Sequence, residues 1–136
     1  MNQDNMRGLD LIHLVQQARM AHDGEAMPSR ISGVYWIEAK PQNQTRQPTR
    51  RAGAWICHVT IDQVDTFWQQ VKAATQNGQL GYKAKVCTSA PPGAPSDIRP
   101  IYICTYDAED SADVERVRQH ISDLGLNGDW HYQLLR

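Results

Sequence analysis

Two kinds of short apolar segment alternate along this chain of 136 residues, and segments that contain Pro or Gly separate them. Segments rich in β-branched and aromatic residues predict strands, whereas apolar residues spaced at i, i+3, i+4 and i+7 predict helices. No apolar segment approaches the roughly 20 residues that span a bilayer, so we predict no membrane partner. The alternation restricts the chain to one small domain in which helices cover a sheet.

The order of these segments predicts the fold class. Strands are predicted at residues 34–39, 54–60, 82–88, 101–106 and 130–135. Helices are predicted at 9–21, between a capping box that starts at Thr60 and the end at Asn77, and from Asp110 or Ser111 to Gly125. The resulting order, α-β-β-α-β-β-α-β, places hairpin-like strand pairs between helices. It predicts an α+β fold, a mostly antiparallel sheet with helices packed on one face.

The chain is predicted to contain two regions. Residues 1–30 form an N-terminal helical segment, and residues 31–136 form a single α+β domain with a basic flexible loop at 41–53. That loop holds three arginines and no acid, whereas residues 107–113 hold four acids and no base. The total of 14 Lys and Arg against 15 Asp and Glu argues against broad nucleic-acid binding. It permits one focused phosphate site, although such charged segments are also typical of solvated surface.

The cysteines and the N-terminal residues predict a cytoplasmic location. Cys57, Cys87 and Cys104 are an odd number and lack CxxC spacing, which argues against a disulfide framework or a zinc site. The first ten residues, MNQDNMRGLD, lack the basic-then-apolar order of a signal peptide. A reducing compartment fits both observations.

Four residues on predicted strands are candidates for chemistry on an anionic substrate. His58 lies on the second strand and Tyr102 on the fourth, while Lys83 and Lys85 share one face of the third, because side chains alternate along a strand. A lysine among other cations loses its proton more readily and can act as a base. A histidine titrates near neutrality and can act as an acid. Ordinary structural roles are the alternative for each of the four.

The four tryptophans leave two uses open. Trp68 lies on the apolar stripe of the second predicted helix, which places it in the core. Trp36, Trp55 and Trp130 lie on strands or near their ends. A pair of these rings can sandwich a nucleotide base, or all three can fill the core of a small domain.

The chain resembles a known family in two runs, VDTFWQQVKAATQNGQLGYKAKVCT at residues 64–88 and IYICTYDAEDSADVERVRQHISDLGL at residues 101–126. The family is that of the basophilic leukaemia-expressed protein, which is described as having a phosphothreonine lyase domain. The resemblance covers residues 54–136. It implies a fold similar to that of the cap-binding translation initiation factor.

More distantly, the chain is similar to the phosphothreonine lyases that enteric pathogens inject. Those enzymes carry a strand histidine followed by a DQV sequence, as His58 is followed by DQV at 62–64. They carry a lysine in a K-x-K-V strand, which residues 83–86 match and which places Lys85 at the position of the base. Tyr102 is the counterpart of their important tyrosine on the next strand.

The reaction implied by this similarity is a β-elimination. Lys85 removes the α-proton of a phosphothreonine or phosphoserine, His58 protonates the departing phosphate oxygen, and no metal or organic cofactor is needed. Tyr102 and nearby cations stabilise the phosphate and the developing charge. Ile56 stands where the pathogen enzymes have a second lysine, so the phosphate needs other cations. The candidates for phosphate binding are Lys83, Arg99, Arg50 and Arg51.

The resemblance therefore predicts a small cytosolic phosphate-recognising domain that acts on a phosphorylated peptide or a small phosphate-containing ligand. The alternative is a binding module without catalysis, which recognises a nucleotide, capped RNA or a phosphopeptide through tryptophans and the basic loop. A protein-interaction domain, in which the cluster is ordinary surface, is a third possibility.

Overall fold

The computed structural model describes residues 26–31 and 36–135 of the chain. After a short 3-10 turn at Pro28–Arg30, these residues form five strands and two α-helices. The elements are β1 Trp36–Ala39, β2 Gly53–Thr60, α1 Ile61–Gln76, β3 Lys83–Cys87, β4 Ile98–Thr105, α2 Ser111–Asp123 and β5 His131–Leu134. The helix predicted at 9–21, and with it most of the predicted segment 1–30, lies outside the described residues.

The five strands form one sheet in the order β1-β3-β4-β2-β5, and every neighbouring pair is antiparallel. The α+β prediction is therefore confirmed. The expected pairing of consecutive strands holds for β3 and β4 but is wrong for β1 and β2, because β3 and β4 lie between them. The connection over residues 40–52 is far longer than a tight hairpin turn, so it can carry the chain across the sheet.

Both described helices pack on one face of the sheet, as predicted. Val64, Trp68 and Val71 of α1 are at most 1% exposed and lie at the spacing that predicted a buried stripe. Val117 and Ile121 of α2 join the same core. The strand residues in this core include Ile37, Trp55, Cys57, Val59, Ala84, Val86, Ile101 and Ile103. Every second residue of each strand thus points to the helices, which leaves the intervening residues for the opposite face.

The helix starts differ in their chemistry. Asp110 caps α2, and its side chain accepts a hydrogen bond from the Asp113 N–H at 3.3 Å. The capping box predicted at Thr60 is wrong, because the Thr60 hydroxyl donates to Gln63 Oε1 and no backbone N–H of α1 is capped by a side chain. Instead, the first N–H of α1, that of Ile61, donates to a loop carbonyl.

β4 starts earlier than the sequence predicts, at Ile98 rather than Ile101. Proline lacks a ladder donor and is disfavoured inside a sheet, yet Pro100 lies within β4. Pro100 pairs with His58 of β2, but pairing with β3 ends at Ile101. The proline therefore lies at the margin of the ladder, where a missing N–H is tolerated.

The basic loop and the acidic segment bind each other. Arg51 donates to both carboxylate oxygens of Asp107, at 3.1 and 2.7 Å, and its Nε lies 3.3 Å from Glu109. Arg46 lies 3.5 Å from Asp110 and stacks over the Tyr106 ring. Some of the opposite charges that cancel in the net charge thus form local ion pairs. These ion pairs hold the loop against the start of α2.

The Arg51–Asp107 pair predicts an acid-sensitive contribution to stability. Hydrogen bonds from Arg51, and then from the Glu109 N–H, lower the pKa of Asp107 from 3.8 to about 2. The ionised carboxylate therefore stabilises the fold above about pH 4, and this stabilisation is lost as the pH falls towards 2. We expect Arg51→Gln to flatten the rise in unfolding free energy between pH 2 and 4, as measured by urea denaturation. Arg50→Gln, at an exposed neighbour, should leave the rise unchanged, and an equal slope in both variants would refute the assignment.

Candidate functional site

The face of the sheet that points away from α1 and α2, here called the second face, carries most of the predicted site residues. The strand registers align one residue from each strand in a row across this face. In spatial order the row is Glu38, Lys85, Tyr102, Ile56 and His131. The row combines an acid, two bases and a phenol around one apolar residue.

Lys85 and Tyr102 are direct neighbours at the centre of this row. The Lys85 ammonium lies 4.5 Å from the centre of the Trp36 ring and 5.1 Å from that of Tyr102. The two rings meet edge to face at 5.4 Å. Because the negative face of an aromatic ring attracts a cation, this pair of rings fixes where the lysine's charge lies.

His58 lies on the same face, two residues beyond Ile56 on β2. It pairs with Pro100 of β4, so Tyr102, two residues on, is its diagonal neighbour. Lys85 is two strands away, about 10 Å across the sheet at the usual strand spacing. The lysine and the histidine thus flank Tyr102 from opposite sides.

The floor of the second face is a small apolar cluster. Ala54, Ile56 and Cys104 are at most 1% exposed, and Tyr82 and Tyr102 pack against them together with Leu135. Burial raises the pKa of the Cys104 thiol, although Lys83 and Lys85 oppose this effect, and burial raises the pKa of Tyr82 to about 12. The floor therefore stays neutral near pH 7, and the charges of the face belong to the residues around it.

The four predicted phosphate-binding residues do not all reach this face. Lys83 lies on it, paired with Glu38 at 3.9 Å. Arg99 pairs with Val59 and so belongs to the helix-bearing face, and its guanidinium donates to the carbonyls of Ser96 and Ile98. Arg51 is held by Asp107 and Glu109 in the loop, where Arg50 is exposed.

The tryptophans divide between the two faces. Trp55 and Trp130 pack with the helix-bearing core, and their indole N–H groups donate to the backbone carbonyls of Val114 and Leu126. Trp36 contacts Lys85 and Tyr102 on the second face. Within residues 26–31 and 36–135, no two tryptophans face each other across a cleft, as a sandwich for a nucleotide base would require.

Besides the apolar Ile56, two members of the row, Glu38 and His131, were not predicted as site residues. Alternation within WHYQLL does place His131 and Gln133 on one side of the last strand. The pairing of β5 with β2, which brings His131 opposite Ile56, could not be predicted from the sequence. Glu38 required the equally non-local pairing of β1 with β3.

Neither a metal cluster nor a membrane span is found in the part of the chain that the structure describes. No group of three or more His, Cys, Asp and Glu residues there is arranged to hold a metal ion. Neither described helix is long and apolar enough to cross a bilayer.

Comparison with known proteins identifies the family. A family model described as basophilic leukemia-expressed protein Bles03 matches residues 37–132, which include all five strands to within a few residues of their ends. No curated protein matches the chain. Since the family model spans well over half of the sequence, the chain belongs to the family of basophilic leukemia-expressed protein Bles03.

Proposed function

We propose that the second face binds the phosphate of a phosphorylated residue and that Lys85, His58 and Tyr102 eliminate it. The observation that carries the proposal is the register, which sets Lys85 directly beside Tyr102 and His58 diagonally beside it on the same face. The similarity to the phosphothreonine lyases assigns the same three positions to base, acid and phosphate contact. The resemblance to the basophilic leukemia-expressed protein family supports the finer proposal that the sheet resembles that of the cap-binding initiation factor.

The proposed reaction is a β-elimination from phosphothreonine or phosphoserine. The neutral amine of Lys85 takes the proton from Cα, the electron pair forms the Cα=Cβ double bond, and the Cβ–O bond to phosphate breaks. The His58 imidazolium gives its proton to the departing phosphate oxygen. The Tyr102 hydroxyl donates a hydrogen bond to the phosphate, which gains charge as the bond breaks.

The layout of the face suits this order of events. A phosphate placed over Tyr102 and Ile56 has the base on its β3 side and the acid on its β2 side. The floor beneath it is apolar, because Ile56 is 1% exposed and packs in the small cluster. Opposite placement of base and acid lets one residue lose its proton and its phosphate without changing position.

A binding module without catalysis is the second candidate, and one contact favours it. The Lys85 ammonium packs against Trp36 and Tyr102, an arrangement that stabilises a charged lysine. A lysine that keeps its proton binds a phosphate but cannot act as a base. The partner of such a module is a phosphopeptide or a small phosphate-containing ligand, since Trp55 and Trp130 belong to the core rather than to a nucleotide sandwich.

We place either function in the cytoplasm. The support is that Cys57, Cys87 and Cys104 are all free thiols and all buried. A protein that lives in an oxidising compartment more often joins such residues in disulfides.

The elimination is tested by incubating the protein with phosphothreonine peptides and following their mass. We expect the peptide to lose phosphoric acid and the product to react with an added thiol, because elimination leaves an α,β-unsaturated residue. Lys85→Ala should abolish the product, whereas Lys40→Ala, at an exposed residue just after β1, should not. If the wild-type protein leaves every peptide intact, the lyase proposal is wrong. Binding of intact peptide would then support the second candidate.

A further inference from the structure

His58 has a partner that the proposed reaction does not use. The imidazole of His131 on β5 lies parallel to that of His58, with 5.9 Å between ring centres and 5° between ring planes. Both residues are exposed, and both belong to the second face. Two solvent-accessible imidazoles are thus stacked at the edge of the candidate site.

Few charged groups surround the two imidazoles. Pro100 and Tyr102 face it from β4, and Lys85 lies beyond them on β3. Asp129 precedes β5 and is exposed, but no described carboxylate forms an ion pair with either imidazole. When both rings are protonated, their charges repel, since no counter-ion separates them.

A bound dianion removes that repulsion. A phosphate over Ile56 has the Lys85 cation on its β3 side. Ile56 beneath it is apolar and buried. On the β5 side, the residue directly opposite Ile56 is His131. A phosphate over the floor of the face therefore lies between Lys85 and the two imidazoles, and its charge favours a proton on both rings.

We infer that His131 is a second anion-binding residue of the site, which acts with His58 as a stacked imidazole pair that takes up protons when a phosphate dianion binds. This inference rests on the proposed function, because it assumes that the phosphate binds on the second face. It makes anion affinity depend on the protonation of two histidines, so the affinity should be higher at pH 6 than at pH 8.

Sulfate is the suitable probe, because its charge stays at two throughout the range in which histidines titrate. We would measure its affinity at pH 6 and pH 8 from the imidazole resonances in NMR spectra. His131→Phe keeps a stacking ring without a charge, and we expect it to weaken sulfate binding at pH 6 by about fivefold, as for loss of an exposed charge contact. At pH 8 the variant and the wild type should bind equally. His120→Gln in α2 is the control and should bind like the wild type at both pH values.

The outcomes separate this inference from the proposal beneath it. If Lys85→Ala and His58→Ala weaken sulfate binding but His131→Phe does not, the role of His131 is refuted and the site stands. If neither Lys85→Ala nor His58→Ala weakens binding, or if the wild type binds no sulfate at pH 6, the role of His131 and the proposed phosphate site are both refuted. His131→Ala serves as a second variant, and equal thermal midpoints of all variants show that each is folded.

Discussion

We expect the replacement of Lys85 with alanine to abolish the proposed elimination and the replacement of His58 with glutamine to slow it by about 100- to 10,000-fold, the usual contribution of a positioned acid or base. The two effects differ in kind. Without Lys85 the proposed base is missing, whereas without His58 the phosphate can still leave with a proton from water. Neither substitution should lower the stability of the fold, because His58 is exposed and Lys85 is partly exposed.

Initial rates of product formation, followed by mass spectrometry, give these numbers. Small primary amines added to Lys85→Ala should restore part of the rate, since they can take the place of the missing ammonium beside Trp36 and Tyr102 and act as the base. Lys83→Ala is the matched variant on the same strand and face. It should weaken substrate binding and keep most of the maximal rate. A Lys85→Ala protein as fast as the wild type would refute the role of the base.

We expect the replacement of Trp68 with alanine to lower the free energy of unfolding by about 3–5 kcal/mol, the usual cost of deleting a large aromatic side chain from a core. Among the residues that the structure describes, Trp68 is the largest fully buried side chain, and it is 1% exposed. It lies in the centre of α1, against the strands that carry the second face on their other side. The domain should therefore lose much of its stability through this one position.

Trp68→Phe separates the two properties of this side chain. The indole Nε1 is buried and has no hydrogen-bond partner, so phenylalanine removes an unsatisfied donor as well as part of the volume. We expect a loss of at most about 2 kcal/mol, because the smaller cavity is partly offset by the removed donor. Urea denaturation measures both variants. A Phe variant as unstable as the Ala variant would show that the indole N–H is satisfied in solution.

Local pattern was enough to find most of the elements but not to join them. The stripe on α1 and the apolar residues of β2 each determine an element within one stretch of chain. The position of β1 at the edge beside β3 depends on contacts almost fifty residues apart, which no local periodicity encodes. The early start of β4 is likewise non-local, since the proline at position 100 is tolerated where pairing with β3 has ended.

The same division applies to the site. Alternation predicted that Lys83 and Lys85 share a face, and the registers place His58 and Tyr102 on that face as well. Arg51 binds Asp107 instead of lying on the second face, and this contact requires two segments fifty-six residues apart to meet. The placement of His131 opposite Ile56 likewise follows only from the pairing of the last strand.

The most direct test of the central claim is to find where a phosphothreonine peptide binds. Backbone and imidazole NMR signals of the isotope-labelled protein would be followed as the peptide is added, with the unphosphorylated peptide as control. If the second face is the site, the shifts should be concentrated at His58, Lys85, Tyr102 and His131 and should require the phosphate. Shifts confined to the arginines of the basic loop, or equal shifts with the unphosphorylated peptide, would contradict the assignment of the phosphate site to this face.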